Sequence, residues 1–250
     1  MKKVPSIKIQ LIIFLVLFGL YLAVREGVVA FTAALAAVTA AAVIIEAVFI
    51  YAAKKKICVT TSACITGLIL GIVLAHDGPW WHSLVAAGAA IVGKNLIRIK
   101  GRHFFNPAAF GIVIAMIICG ARTAWYGTYA WYILIPVGLY FIIRLRKEAL
   151  LVSYAVTAFL LFAGNNLIMK IPFTDIMWYF SYFFIFIMLI EPKTTPHTRR
   201  GGIVFGVSIA VLIFAMTQIG IRCDVELCSL IICNMVYRAT TVIPNKRRSV

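Results

Sequence analysis

Long apolar runs that follow one another with little between them leave this chain few possible folds. Ile9 to Val24 and Met177 to Ile190 contain no charged residue at all. A membrane-spanning helix needs about 20 mostly apolar residues, and fewer serve inside a bundle. A typical soluble domain carries roughly 25% charged residues. Here the charged share is 13% and the hydrophobic share 63%. Lipid must cover surface that a soluble fold could not hide. Strands of a membrane barrel would alternate apolar and polar at period two, and these runs do not. The pattern predicts an all-α membrane protein with about ten transmembrane helices.

The runs place the spans near 9–24, 28–53, 57–75, 82–97, 105–120, 128–143, 149–164, 173–190, 201–218 and 224–238. The loops between them fall into two sets. One set holds the N-terminus, Lys54 to Lys56, Lys94 to Arg102, Arg144 to Lys147, Lys193 to Arg200 and Arg238 to Arg248, and it carries 20 of the 24 Lys and Arg residues. The other set has only Arg25, Arg122, Lys170 and Arg222. Positive charge concentrates on the cytoplasmic side of membrane proteins. The alternation therefore predicts a multi-pass protein of the cell membrane with both termini cytoplasmic. It also accounts for the net charge of +16 as a basic rim, without a nucleic acid partner.

Lys2, Lys3 and Lys8 precede the first run as in a signal peptide. Val24-Arg25-Glu26 follows it where a small-residue cleavage site would stand, so the run reads as a retained first helix. Ten spans divide into five and five, about 1–122 and about 123–250 of a single polytopic domain, 1–250. Such halves face opposite ways, which is the geometry of an inverted repeat. The six cysteines form no C-x-x-C pair, and no metal site is expected from them.

Four stretches are too polar for ordinary membrane loops. Thr60 to Leu68 carries Thr66 and Gly67 at a depth where small and polar residues let helices approach, bend or line a site. Asp77-Gly78-Pro79-Trp80-Trp81-His82 has the tryptophans of an interfacial aromatic belt. In Gly101 to Gly111, Asn106 and Pro107 form a helix start, with Asn as cap and Pro in the first turn. The freed amides there suit a polar or anionic group, and Phe104, Phe105 and Phe110 are placed to flank a flat ring. In Glu191 to Gly202, the acid ends an apolar span, either as an interfacial anchor or as a partner for Lys193, Arg199 or Arg200 that fixes the loop. Glu46 stands inside the second span, a functional candidate or a partner for nearby lysines.

These residues resemble a known family. Phe105-Asn106-Pro107-Ala108 is similar to the F-N-P-A segment of RnfD and NqrB, membrane subunits of ion-translocating flavin electron-transfer complexes. Glu191-Pro192-Lys193-Thr194-Thr195-Pro196 resembles their D-P-x-T-x-P segment, with Glu191 in the acid position. Thr66-Gly67-Leu68, Pro79-Trp80-Trp81 and Gly93-Lys94 follow in the family's order. The resemblance covers roughly residues 55–220. It implies a urea-transporter-like fold with inverted repeats, and a noncovalent flavin (riboflavin or FMN) near Phe105, Asn106, Pro107, Ala108, Thr66 and Gly67. It also implies electron transfer coupled to ion transport, in a translocase complex with other subunits. Glu191, Pro192, Thr195 and Asp77 become transport or structural motif residues.

The family's S-G-A-T motif, which carries covalent FMN, has no counterpart. Gly120-Ala121-Arg122-Thr123 stands in that region, so covalent flavin is not expected. The basic rim would suit other subunits of such a complex or an acidic redox protein. A stand-alone small-solute or ion transporter or channel without a redox cofactor is the alternative. A purely structural role is disfavoured by the polar motifs held in the membrane. Whether the chain is itself an enzyme is left open by its residues.

Overall fold

The computed structural model describes residues 5–55, 59–99 and 102–242. Lys56, Ile57, Cys58, Lys100, Gly101, the first lysines and the C-terminal basic cluster lie outside the described residues. Among the described residues, nine α-helices form the bundle: α1 (Ile7–Glu26), α2 (Val28–Lys54), α3 (Thr61–Val73), α4 (Trp81–Leu96), α5 (Pro107–Cys119), α6 (Trp131–Leu145), α7 (Glu148–Met169), α8 (Arg199–Ile219) and α9 (Val225–Val242). A two-residue antiparallel hairpin, β1 (Arg98–Ile99) with β2 (Arg102–His103), joins α4 to α5.

Four stretches are long and apolar enough to cross a membrane: Ile7–Glu26, Val28–Ala53, Glu148–Met169 and Arg199–Ile219. Shorter apolar helices pack among them. Large apolar side chains such as Leu17, Ile44, Leu160, Ile168 and Val204 are exposed around the outside. Apolar surface on that scale calls for lipid. The chain is a multi-pass helical membrane protein.

Helices α3 and α5 have 13 residues each, or about 20 Å at 1.5 Å per residue, against a hydrocarbon core of about 30 Å. Their ends are fixed by local chemistry. Thr60 caps α3 by accepting from the Ala63 amide at 3.2 Å. Asn106 caps α5 by accepting from the Ala109 amide at 3.1 Å, with Pro107 in the first turn. Gly120 closes α5 at φ 68°, a conformation that costs glycine least. Beyond α3 the chain continues extended, and Leu74 bridges Thr123.

The third span, a candidate for a break, is one continuous helix from Thr61 to Val73 within the described residues. The break falls in the eighth. The apolar run predicted a single helix over 173–190. Instead, Phe173–Tyr179 is a 3₁₀ helix, Phe180 is extended, and Phe184–Met188 is a π-helical turn. The Phe184 amide bonds Ser181 Oγ at 3.3 Å, restarting the helix after the extended residue.

Contacts among the loops fall into two groups. At one end, Thr60 bonds Glu46, His103 meets Lys94 and Lys193, and Lys147 holds Pro196. At the other, Arg122 pairs with Asp77 at 2.6 Å, the Tyr126 hydroxyl accepts from the His76 amide, and Thr123 bonds Asp224.

Candidate functional site

A cleft opens at the basic end, walled by α1, α3, α5, α6 and the π-helical turn. Its lining includes Ser62, Ile65, Thr66 and Ile69 of α3, Asn106, Pro107 and Ala108 at the start of α5, and Phe186, Ile187, Ile190, Glu191, Pro192 and Lys193. Lys8, Leu11, Phe141 and Leu145 complete it. The empty space is about 780 Å³ counting the open mouth. The walls are mostly apolar, with few polar groups, which is the usual make-up of a small-molecule site.

Three segments far apart in sequence meet here. Asn106 is buried, and each end of its amide has a task. Its oxygen caps α5, and its nitrogen donates to the Met188 carbonyl at 3.5 Å. That carbonyl belongs to the π-helical turn, where the regular helical bonding is altered. π-turns often mark functional sites.

Glu191 follows the turn. It accepts from the Thr194 hydroxyl at 3.3 Å, and the Thr195 hydroxyl bonds the Glu191 carbonyl at 2.7 Å. Burial pushes the Glu191 carboxyl up to about 7, against the pull of Lys193, Thr194, Lys94 and Arg238. No ion pair of Glu191 with Lys193, Arg199 or Arg200 forms among the described residues; the threonine hydroxyls hold the loop instead. Lys193 is itself held near His103 Nε2 at 3.3 Å, and burial lowers its ammonium.

The loop after Glu191 is anchored from below by Lys147. This buried lysine donates to the Pro196 carbonyl at 2.5 Å and the Thr195 carbonyl at 3.4 Å. Its burial lowers the ammonium to about 8. Arg238 of α9 donates to the Lys193 carbonyl. Neither residue stands out in the sequence, because nothing local marks a lysine between two helices as buried.

Of the residues singled out from sequence, Thr66, Asn106, Pro107, Ala108, Glu191 and Pro192 line the cleft. Others do not. Gly67 serves helix packing: a Cβ there would come within 2.5 Å of the Thr39 Cα on α2. Phe105 stacks on Phe110 at 5.1 Å and meets Phe104 edge-on at 4.6 Å. These rings pack on one another beside the cleft, outside its lining. Thr195 is buried under the loop, and Asp77 lies at the opposite end in an exposed pair with Arg122. Glu46, on α2, pairs with Lys94 of α4 at 2.5 Å, and both side chains are nearly fully buried.

A multi-pass helical membrane protein with a cleft built at an Asn-Pro helix start and a broken eighth segment is the class these features define. A sequence model of the NQR2, RnfD, RnfE family matches residues 1–133, and the chain belongs to that family. Its relatives are subunits of ion-translocating oxidoreductase complexes. It is similar to one from Ectopseudomonas mendocina (strain ymp), 44% identical over 57 residues, which is 22% of this chain and 17% of the relative. The corresponding protein of Alcanivorax borkumensis is 38% identical over 80 residues, 30% of this chain and 23% of that relative. That of Yersinia enterocolitica is 44% identical over 57 residues, 22% and 16% of the two chains. The matched stretches therefore span less than a quarter of each relative's length.

Proposed function

We propose that this chain is a membrane subunit of an ion-translocating electron-transfer complex and binds a flavin noncovalently in the cleft at its basic end. The observation that carries this reading is the convergence of Thr66, Asn106 to Ala108, and Glu191 with Pro192 on one mostly apolar space. The names of the relatives point the same way.

The residues fit such a group. Ile65, Ile69, Phe141, Phe186 and Ile187 offer apolar walls for a flat ring and exclude water from it. Lys8 and Lys193 stand on the lining, suited to the polar tail or a phosphate. A bound flavin supplies one- and two-electron chemistry. Glu191, with its carboxyl raised to about 7, can hold or release a proton beside the site at neutral pH. Asn106 fixes the π-turn against α5 and keeps the walls in register. Thr123, in the region where the family carries covalent FMN, has its hydroxyl bound to Asp224 at 2.9 Å, and no covalent flavin is assigned to it.

The same reading puts the basic end in the cytoplasm of the cell, where other subunits or an acidic redox protein would dock. It treats the ten apolar segments as two inverted halves, about 1–122 and 123–250. In support, α5 and α9 begin at opposite ends, pack together, and are each capped by a side chain of the same kind, Asn106 and Asp224.

Titrating riboflavin or FMN into the detergent-purified chain tests this, with quenching of flavin fluorescence as readout. Saturable binding is expected at one flavin per chain. Ala108→Leu, which narrows the cleft from its α5 wall, is expected to weaken binding about tenfold or more, as loss of a pocket contact does. Unsaturable binding, or binding indifferent to Ala108→Leu in a folded variant, counts against the site. Absence of flavin together with solute flux into liposomes would favour the stand-alone transporter.

A further inference from the structure

Two cysteines meet at the end of the bundle remote from the cleft. Cys223 sits on the loop before α9 and Cys228 in the first turns of that helix, with their Sγ atoms 2.8 Å apart. Both residues are half-buried thiols. The other described cysteines stand apart: Cys64 is on α3, Cys119 Sγ bonds the Ala115 carbonyl, and Cys233 is buried two turns into α9.

Between the pair lies Asp224, which ties this end together. One carboxylate oxygen accepts from the Thr123 hydroxyl at 2.9 Å and the Trp125 indole at 2.7 Å. The other caps α9 through the Leu227 amide at 3.0 Å. The Thr123–Trp125 strip is bonded in turn to the end of α3, with the Ala124 amide 2.8 Å from the Val73 carbonyl. Thr123, Trp125, Asp224 and Glu226 line an open cavity at this mouth, about 1110 Å³ of empty space counting the opening. A link between Cys223 and Cys228 would fix Asp224, and through it the α9 start, the strip and α3.

We propose that Cys223 and Cys228 are a redox-responsive pair whose oxidation to a disulfide locks this mouth of the bundle. The oxidant is a small-molecule disulfide. The Cys223 thiolate attacks one of its sulfurs, forming a mixed disulfide and expelling one thiolate. The Cys228 thiol then attacks Cys223 Sγ, giving up its proton as the bond forms, and expels the second. Two protein thiols are oxidised, the reagent is reduced to two thiols, and the two protons pass to the expelled thiolates. That the oxidant reaches the pair in cells rests on the orientation proposed above, which puts this end outside, where disulfides persist.

The test treats the full detergent-purified chain with oxidised glutathione, then quenches with acid, alkylates with N-ethylmaleimide and maps the peptides by mass spectrometry. The expected product is a Cys223–Cys228 link, with Cys58, Cys64, Cys119 and Cys233 alkylated. Amide exchange across 121–126 is expected to slow about tenfold on linking, as local opening becomes costlier, and Cys228→Ser should abolish the effect. Alkylated Cys223 and Cys228, or a lasting glutathione adduct on Cys223, overturns the pair. A link without slower exchange overturns the lock. Oxidised glutathione added to intact cells separates the two readings. A link formed in detergent but only in inverted vesicles keeps the pair and overturns the orientation.

Discussion

Replacing Glu46 with leucine is expected to destabilise the protein by about 3–5 kcal/mol, whereas Glu46→Leu combined with Lys94→Met returns it to within about 1 kcal/mol of the parent or above it. The asymmetry follows from burial. The pair is 2.5 Å apart, and both side chains are about 5% exposed or less. Removing Glu46 takes away the carboxylate in direct contact with the buried Lys94 ammonium, and the lost offset to that ammonium's desolvation costs far more than the net worth of the intact pair. An apolar pair of similar volume carries neither desolvation cost nor Coulomb gain. Glu46 also accepts from the Thr60 hydroxyl at 3.1 Å, and Thr60 caps α3. The single variant should therefore loosen the start of α3 as well, and amide exchange at Ala63 reports that directly. Denaturation midpoints of the two variants in detergent check the prediction. A single variant no weaker than the double one would mean the pair is not buried as described.

The second large effect is one of pH. The Glu191 carboxyl is raised to about 7 in the folded chain, against about 4.3 for a free glutamate. Between those values the folded state binds more protons than the unfolded one. Stability then falls as pH rises. The contribution is fully present below about pH 4.3 and is lost as pH passes through about 7. Its upper bound is about 3.7 kcal/mol at 1.36 kcal/mol per pKa unit, reduced by the partial exposure of the cleft. The thermal midpoint in detergent should rise on going from pH 8 to pH 5.5. Glu191→Gln, which keeps the shape and removes the titration, should flatten that rise and lie above the parent at pH 8. A parent midpoint that falls on acidification while the variant's does not would reverse the assigned environment.

What sequence conveyed about this molecule divides along local and tertiary lines. The start of α5 was legible because an Asn cap and a first-turn Pro act within four residues. The two loop sets were legible because charge marks them independently of packing. The break in the eighth segment was not, since Phe173 to Ile190 is as apolar as an ordinary span. Its π-turn is met from outside, where Asn106 reaches the Met188 carbonyl. Gly67 shows the same limit. Its small size announces a close approach, but only the fold reveals that Thr39 of α2, and not the cleft, is the neighbour. Glu46 read as either a functional acid or a partner for a nearby lysine. The lysine is Lys94, on α4, which the chain reaches only after another helix has intervened.

Asp77 illustrates the converse. Its position in a polar loop suggested a motif role, but it stands in an exposed pair with Arg122, a contact generally worth under about 1 kcal/mol. The cleft drew instead on Lys8, Phe141 and Phe186. Nothing in their local sequence separates them from lipid-facing or rim residues.

The most direct measurement is an absorbance spectrum of the detergent-purified chain, taken from flavin-replete cells, before and after acid denaturation. A flavin spectrum is expected in the folded protein, with full release of the flavin into the supernatant on acid treatment. A colourless protein, or flavin that stays on the denatured chain, would contradict it.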